Sequence, residues 1–264
     1  MKQAAFLGTG NMGGALVRAA CRSIGPEQVV IANRTAAKAE ALAAETGCTA
    51  AGVPEAAAGA GYIFLGVKPH MMQGLLESIA PVLTEGQVLV SMAAGLTTET
   101  LAQWAPAGMP ILRIMPNTPC AIGKGMTALC GAPGVDEAHF GAVEEILRSS
   151  GLVRRLEERQ MDAFSAVAGC GPAFVYQFIE AMADGGVLAG LSRTAAQDYA
   201  AQTLMGAAAM VLESGSHPGA LKDAVCSPGG STIEGVAALE RHGFRAAVID
   251  AVEASWRKNA ALGK

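Results

Sequence analysis

No two cysteines in this sequence form a C-x-x-C pair: Cys21, Cys48, Cys120, Cys130, Cys170 and Cys226 are scattered along the chain. Such spacing argues against a disulfide framework or a paired-thiol redox site, and it reads as free thiols in a cytoplasm, with no metal site expected. Basic residues are not in excess either, since 19 Lys and Arg face 23 Asp and Glu for a net charge of −4, with a pI near 5.6. A surface of that sign has no general attraction for nucleic acid or for an anionic membrane, so small molecules are the expected partners. No uncharged apolar stretch reaches the roughly 18 residues of a membrane span. Met1 leads directly into a short apolar run, without the charged n-region, long h-region or cleavage site of a secretory signal. Repeats and low-complexity tracts are absent apart from a bias toward alanine.

What is present is enough apolar material for a large core. The 264 residues are 51% hydrophobic and 16% charged, which fits one large or two modest domains. Up to about residue 157, short β-rich runs alternate with Ala-rich amphipathic stretches. Strands are expected at 4–7, 29–32, 62–67 and 88–92, each followed by a helix, at 13–23, 36–46, 71–80 and 98–104. Further strands are expected at 111–115, 126–130 and 152–156. This alternation predicts βαβ units and a Rossmann-type, doubly wound, mainly parallel sheet over residues 1–157. Beyond it the β pattern stops. Residues 158–264 read as helices at 159–168, 172–188, 194–213, 218–225, 232–241 and 244–261. These are rich in Ala, Gly and Met on most faces, as in GVLAGL and TLMGAAAMVL. A lone domain of about 100 residues would struggle to hide them all, which predicts burial against a second chain; the ordinary core of a packed α-domain is the alternative.

Gly8-Thr9-Gly10-Asn11-Met12-Gly13 follows the first strand and opens the first helix. In that context G-x-G-x-x-G is a dinucleotide fingerprint: the first glycine permits the tight turn, the second admits a pyrophosphate, and the third lets helix and strand pack closely. Helix N-terminal amides then face the phosphates. At the end of the second strand, where NAD sites carry an Asp or Glu for the ribose, the chain has Asn33-Arg34-Thr35, with Lys38 one turn on. Arg34 can hold a 2′-phosphate in a bidentate contact, helped by Asn33 and Thr35, so NADPH is expected, with NADH a weaker alternative. The other reading of Asn-Arg-Thr is a helix cap beside a solvated arginine. In an open parallel sheet the ligand lies beyond the carboxyl ends of the strands. The turns after the strands at 62–67 and 88–92 therefore add Val67, Lys68, Pro69, Met92 and Ala93 to the cofactor candidates. His70 reads as solvated or capping.

Between two expected helices lies SPGGSTIEG, at 227–235. Successive amides in a Gly-rich turn leading into a helix form an anion-binding nest, to which Ser227, Ser231 and Thr232 can add hydroxyls around Gly229 and Gly230. A helix-helix turn capped by Ser or Thr is the alternative.

Taken in order, GTGNMG, VKP, RIMPNTP at 113–119, AGCGPAF at 168–174, ADGG at 183–186, HPGALKDAV at 217–225 and SPGGSTIEG run the length of the chain, and with these motifs it resembles the pyrroline-5-carboxylate reductases. The resemblance implies a Rossmann domain over 1–157 and a C-terminal all-α dimerisation and substrate-binding domain over 158–264. It implies NAD(P)H reduction of the cyclic imine 1-pyrroline-5-carboxylate to proline in a homodimer, extending in some members to a ring-like oligomer. The substrate pocket would lie at the dimer interface, with Ser227, Gly229, Gly230, Ser231 and Thr232 on the substrate carboxylate. The nicotinamide would stack near Met115 and Asn117.

Chemistry agrees, because hydride addition to an iminium yields an amine and needs no acid to quench an alkoxide. The segment GCGPAFVYQFIE has no lysine, whereas the β-hydroxyacid dehydrogenases, which share G-x-G-x-M-G, place a catalytic lysine there. Gln177 and Cys170 are the candidates beside the reacting centre. Gln177 stands where some relatives have a hydrogen-bonding threonine, Cys170 where they have serine or cysteine, and Ser231 where threonine or alanine is frequent. Nothing basic flanks Cys170 to activate it. Tyr176 is either an acid or a core aromatic. Reduction of another cyclic imine acid and a non-catalytic NADP-binding regulator remain the competing functions.

Overall fold

The computed structural model describes residues 1–262. By compactness the chain divides into Met1–Gly169 with Ser255–Lys264, and Cys170–Ala254.

The first unit is built on one sheet of eight strands: β1 (Lys2–Leu7), β2 (Val29–Ala32), β3 (Thr49–Ala50), β4 (Ala60–Leu65), β5 (Val88–Ser91), β6 (Ile111–Met115), β7 (Gly125–Gly131) and β8 (Gly151–Arg155). Their spatial order is β3-β2-β1-β4-β5-β6-β7-β8. All neighbours are parallel except β6 and β7, which run antiparallel. The helices packed on it are α1 (Asn11–Ile24), α2 (Ala36–Thr46), α3 (Val53–Ala58), α4 (Met72–Ile79), α5 (Thr98–Ala102), α6 (Glu137–Leu147) and α7 (Met161–Phe164).

Alternation along the strands sorts the side chains onto two faces. Ala4, Phe6, Ile31 and Phe64 point to one, where they meet Leu16 and Val17 of α1, Leu42 of α2 and Ile146 and Leu147 of α6. Ala5, Leu7, Ile63 and Leu65 point to the other, against Ala56 and Ala57 of α3, Leu76 and Ile79 of α4 and Leu101 of α5. Burial on both faces explains why the central strands read as continuous apolar runs. Phe6 and Phe64 stack across neighbouring strands at 4.4 Å between ring centroids.

Three elements were not expected. β3 has two residues and α3 six, too short for a periodic signal. α6 did carry one: Val143, Ile146 and Leu147 share a face, and Asp136 caps the helix by accepting from the amide of Ala138 at 2.8 Å. The single helix expected at 159–168 is instead a 3-10 turn at Glu158–Gln160, then α7, then a π turn at Ser165–Gly169.

The second unit is helical: α8 (Gly171–Leu188), α9 (Arg193–Ser214), α10 (Pro218–Val225), α11 (Ser231–Arg241) and the start of α12 (Phe244–Leu262). α8 and α9 form a close hairpin, since a Cβ on Gly186 would lie 3.1 Å from the Cβ of Ala196. Ser192 caps α9, accepting from the amide of Ala195. Among its described residues only Ala183, Ala196 and Ala200 are buried. Large apolar side chains such as Leu188 and Leu212 are 90% and 70% exposed. A helical unit with no large buried side chain lacks a core of its own. Among the described residues no helix is long and apolar enough to cross a membrane.

Candidate functional site

The strand order reverses at β1, whose crossovers leave toward β2 on one side and β4 on the other, and it is at such a point that an open α/β sheet presents its crevice. A cleft of about 830 Å³ lies there, lined by Gly10–Gly13 after β1, Gly66–Pro69 after β4, Met92–Ala94 after β5, and Thr118 and Ala121 beyond β6.

The glycines divide into those that serve the fold and one that leaves room. Gly8 has φ 103°, and a Cβ on it would sit 2.6 Å from the carbonyl oxygen of Gly66. A Cβ on Gly13 would lie 2.2 Å from the oxygen of Gly8, and one on Gly66 would lie 2.5 Å from it. Gly8, Gly13 and Gly66 thus permit three backbones to meet. Gly10 is different: a Cβ there would meet nothing within 4 Å. It is also the N-cap of α1, makes no side-chain cap, and is followed by no acidic residue in the first turn. The first amides of α1 are left for an anion. Beside them the hydroxyl of Thr9 is buried without a hydrogen-bond partner. Open space at Gly10, uncapped amides and an orphaned hydroxyl fit a dinucleotide pyrophosphate.

At the end of β2, Asn33 joins the Gly-rich turn to the start of α2. Its Oδ1 accepts from the amide of Thr9 at 3.5 Å, and its Nδ2 donates to the carbonyl of Thr35 at 3.4 Å. Thr35 is the N-cap of α2, but its side chain makes no capping bond. Arg34 is exposed and has no partner among the described residues. Thr35 thus holds the N-cap position without a side-chain cap, beside an exposed guanidinium, an arrangement compatible with both readings of Asn-Arg-Thr.

Of the cofactor candidates, Gly10, Asn11, Met12, Gly13, Val67, Lys68, Pro69, Met92 and Ala93 line the cleft together. Gly8, Thr9, Asn33, Arg34, Thr35, Met115 and Asn117 are not among its lining residues. Asn117 is buried, its Nδ2 donating to the carbonyl of Ala168 and its Oδ1 accepting from the amide of Met126, both at 2.9 Å. The amide of Asn117 thus holds the turn, and Thr118, its neighbour, reaches the cleft. Gly66, Ala15, Thr118 and Ala121 were missed by the sequence reading. Gly66 alone had a signal, as a glycine at the carboxyl end of a strand beside the fingerprint.

In the helical unit, SPGG closes the turn between α10 and α11, and STIEG opens α11. Gly229 has φ 68°, a conformation that favours glycine, and the amide of Gly230 donates to the carbonyl of Ser227 at 3.1 Å. α11 begins at Ser231, one residue earlier than expected, with Gly230 as its N-cap. Neither Ser231 nor Thr232 caps the helix, and glycine has no side chain with which to do so. The first-turn amides are consequently left without a side-chain acceptor, and the hydroxyls of Ser227, Ser231 and Thr232 are exposed. Cys170 immediately precedes α8 and is half-buried, while Gln177 and Tyr176 are exposed on that helix. Tyr176, at 60% exposure, is not a core aromatic of this chain.

Residues 158–262 match the family described as pyrroline-5-carboxylate reductase dimerisation, and residues 3–95 that described as NADP oxidoreductase coenzyme F420-dependent. A pyrroline-5-carboxylate reductase of Escherichia coli K12 is 42% identical over 266 residues, spanning 100% of this chain and 99% of its own. The chain belongs to the pyrroline-5-carboxylate reductase family. Its fold matches that of the family enzyme from Coxiella burnetii with a TM-score of 0.93 at 30% identity, covering 100% of this chain and 99% of that one. It matches a Plasmodium falciparum pyrroline carboxylate reductase with NADP bound at 0.87 and 32% identity, covering 100% and 98%. The F420 description applies to the dinucleotide-binding segment alone, and the family's own dimerisation segment covers the helices whose apolar faces are exposed.

Proposed function

We propose that this protein catalyses the NADPH-dependent reduction of 1-pyrroline-5-carboxylate to proline, the last step of proline synthesis. The full-length similarity to pyrroline-5-carboxylate reductases carries this reading, and a cleft of about 830 Å³ beside the Gly-rich turn supports it. The reaction consumes one NADPH and one proton per C=N bond reduced.

When bound, the reduced nicotinamide supplies the hydride that adds to the C=N carbon. Gly8, Thr9, Gly10, Asn11, Met12 and Gly13 seat the pyrophosphate through backbone amides and the Thr9 hydroxyl. Asn33, Arg34 and Thr35 select the 2′-phosphate, so NADH is the weaker donor. Val67, Lys68, Pro69, Met92 and Ala93 form the walls, and Met115 and Asn117 shape the turn that carries Thr118 to the cleft. Ser227, Gly229, Gly230, Ser231 and Thr232 take the substrate carboxylate. Gln177 donates near the ring nitrogen, with Cys170 beside it. The ring nitrogen needs only to be protonated for the carbon to accept a hydride, so orientation supplies most of the rate.

The segment 158–264 is read as the dimerisation and substrate-binding domain of a homodimer, with a ring of dimers as the higher assembly. Its exposed apolar helices support this. All six cysteines are free, which supports placement in the cytoplasm. Following NADPH oxidation with five- and six-membered cyclic imine acids, and with keto acids as controls, tests the activity. Turnover of the five-membered imine acid and inert keto acids are expected. Keto acid reduction, or silence with both imine acids, would refute it.

A further inference from the structure

We propose that Glu158 is a positioning residue for the cofactor, its carboxylate clamping one wall of the dinucleotide cleft to a buried arginine of the sheet. This deepens the reading above, since it takes the cleft to be the NADPH seat.

The wall is the turn between β5 and α5. Met92, Ala93 and Ala94 of that turn line the cleft, and at Gly95, with φ 76°, the chain swings away toward α5. Ala93 is buried in the core and Leu96 packs against it, but the end of the turn nearer α5 is less enclosed. On that side Gly95 and Thr97 border a second cavity, of about 430 Å³, together with Arg113 and Glu158.

Across this space the clamp makes the connection. Glu158 Oε1 accepts from the amide of Thr98, the first residue of α5, at 2.7 Å, and its Oε2 accepts from the Thr98 hydroxyl at 2.8 Å. Oε1 also accepts from Arg113 Nη1 at 2.7 Å. The Arg113 side chain is only 6% exposed, and Glu158 is the acid that neutralises it. Three charge-assisted hydrogen bonds therefore converge on one carboxylate at the root of the turn.

The sheet does not need this link. β5 and β6 already pair along Leu89–Ile111, Val90–Leu112 and Ser91–Arg113. What Glu158 adds is a fixed position for Thr98, and through it for the residues that face the cofactor. Small displacements of a binding wall cost affinity out of proportion to their effect on the fold.

Glu158→Gln keeps the shape but replaces one acceptor with an NH₂ group. With the remaining oxygen kept on the Thr98 amide and Arg113, that group can donate to the Thr98 hydroxyl, which accepts as well as donates. The variant therefore removes the charge: Arg113 loses its counter-charge, and the bonds to Thr98 and Arg113 lose their charge assistance. Thr98→Val removes only the hydroxyl bond and is the gentler variant should Glu158→Gln fail to fold. NADPH affinity is read directly by fluorescence titration of the full-length protein, without turnover. Glu158→Gln is expected to weaken it about tenfold, on the scale of one charge-assisted hydrogen bond, and Thr98→Val about threefold. KM for the imine acid should stay within about twofold of the parent, because its proposed contacts lie elsewhere. Amide hydrogen exchange across residues 92–98 should quicken in both variants without cofactor. A folded variant that binds NADPH as tightly as the parent and keeps slow exchange there would overturn the clamp. Failure of the unmodified protein to bind NADPH would overturn the cofactor reading, and this proposal with it.

Discussion

Gly10 and Gly66 both border the cleft, yet alanine at the two positions should have opposite consequences. At Gly10 the backbone has φ −65° and ψ −170°, which alanine adopts without strain, and the new Cβ would meet nothing within 4 Å. Losing glycine at a helix N-cap costs up to about 1 kcal/mol. The stiffer unfolded chain returns about 0.4–1 kcal/mol, so stability should hardly change. At Gly66 the Cβ would stand 2.5 Å from the carbonyl oxygen of Gly8, where an ordinary contact begins at 3.4 Å. Both partners are backbone, so the β1–α1 turn or the end of β4 must move. Overpacking of this kind costs about 1–3 kcal/mol. For a unit of this size that corresponds to a fall in Tm of roughly 2–12 °C. Cofactor binding should show the reverse order of specificity. Gly10→Ala puts a methyl group where the pyrophosphate approaches, and should weaken NADPH by at least about tenfold, or 1.4 kcal/mol, at an unchanged Tm. Thermal melts and NADPH fluorescence titrations of the two variants supply the test. Wild-type NADPH affinity in Gly10→Ala would show that no phosphate comes close to that backbone, and an unshifted melt for Gly66→Ala would refute the argument from backbone contact.

Arg34→Ala should lower the NADPH/NADH preference by about tenfold or more, the scale of a charge-assisted contact made only to the 2′-phosphate, and equal losses for both cofactors would place Arg34 elsewhere. Replacing Ser231 and Thr232 together with valine should raise KM for the imine acid strongly and leave NADPH affinity nearly intact; loss of NADPH binding instead would count against the carboxylate reading of the turn. Light scattering on dilute protein should find a dimer or a multiple of it, and an active monomer would contradict the inference from the exposed helices. Acid should act through Glu158: burial alone would raise its carboxyl, but the bonds from Arg113 and Thr98 outweigh burial and hold it below its ordinary value of 4.5. The folded state then binds that proton less readily than the unfolded chain. Its stabilising contribution is complete above about pH 4.5 and is lost as pH falls through the lower folded-state value, so Glu158→Gln should flatten the acid limb of a plot of Tm against pH.

The βαβ order, the position of the fingerprint and the absence of an acid after β2 were legible in the sequence because each rests on neighbours in the chain. Periodicity, turn chemistry and caps act over a few residues, and a residue type at a short spacing is enough to reveal them. α6 could have been read in the same way from Asp136 and the apolar face behind it. Gly66 could be recognised only in part: its closeness to a strand end is local, but the reason it must be glycine is the oxygen of Gly8, 58 residues earlier. The roles of Asn117 and Glu158 were not legible at all. The resemblance places Asn117 near the nicotinamide, but that its side-chain amide bonds to Ala168 and Met126 depends on partners brought in by the fold, and no local pattern singles out Glu158. Sequence determined which chemistry this chain carries and in what order, because composition and local spacing are properties of the chain itself. Tertiary structure decided which polar groups remain free to act, because a donor or acceptor is used up by whatever partner the fold brings within 3 Å, however distant that partner is in sequence.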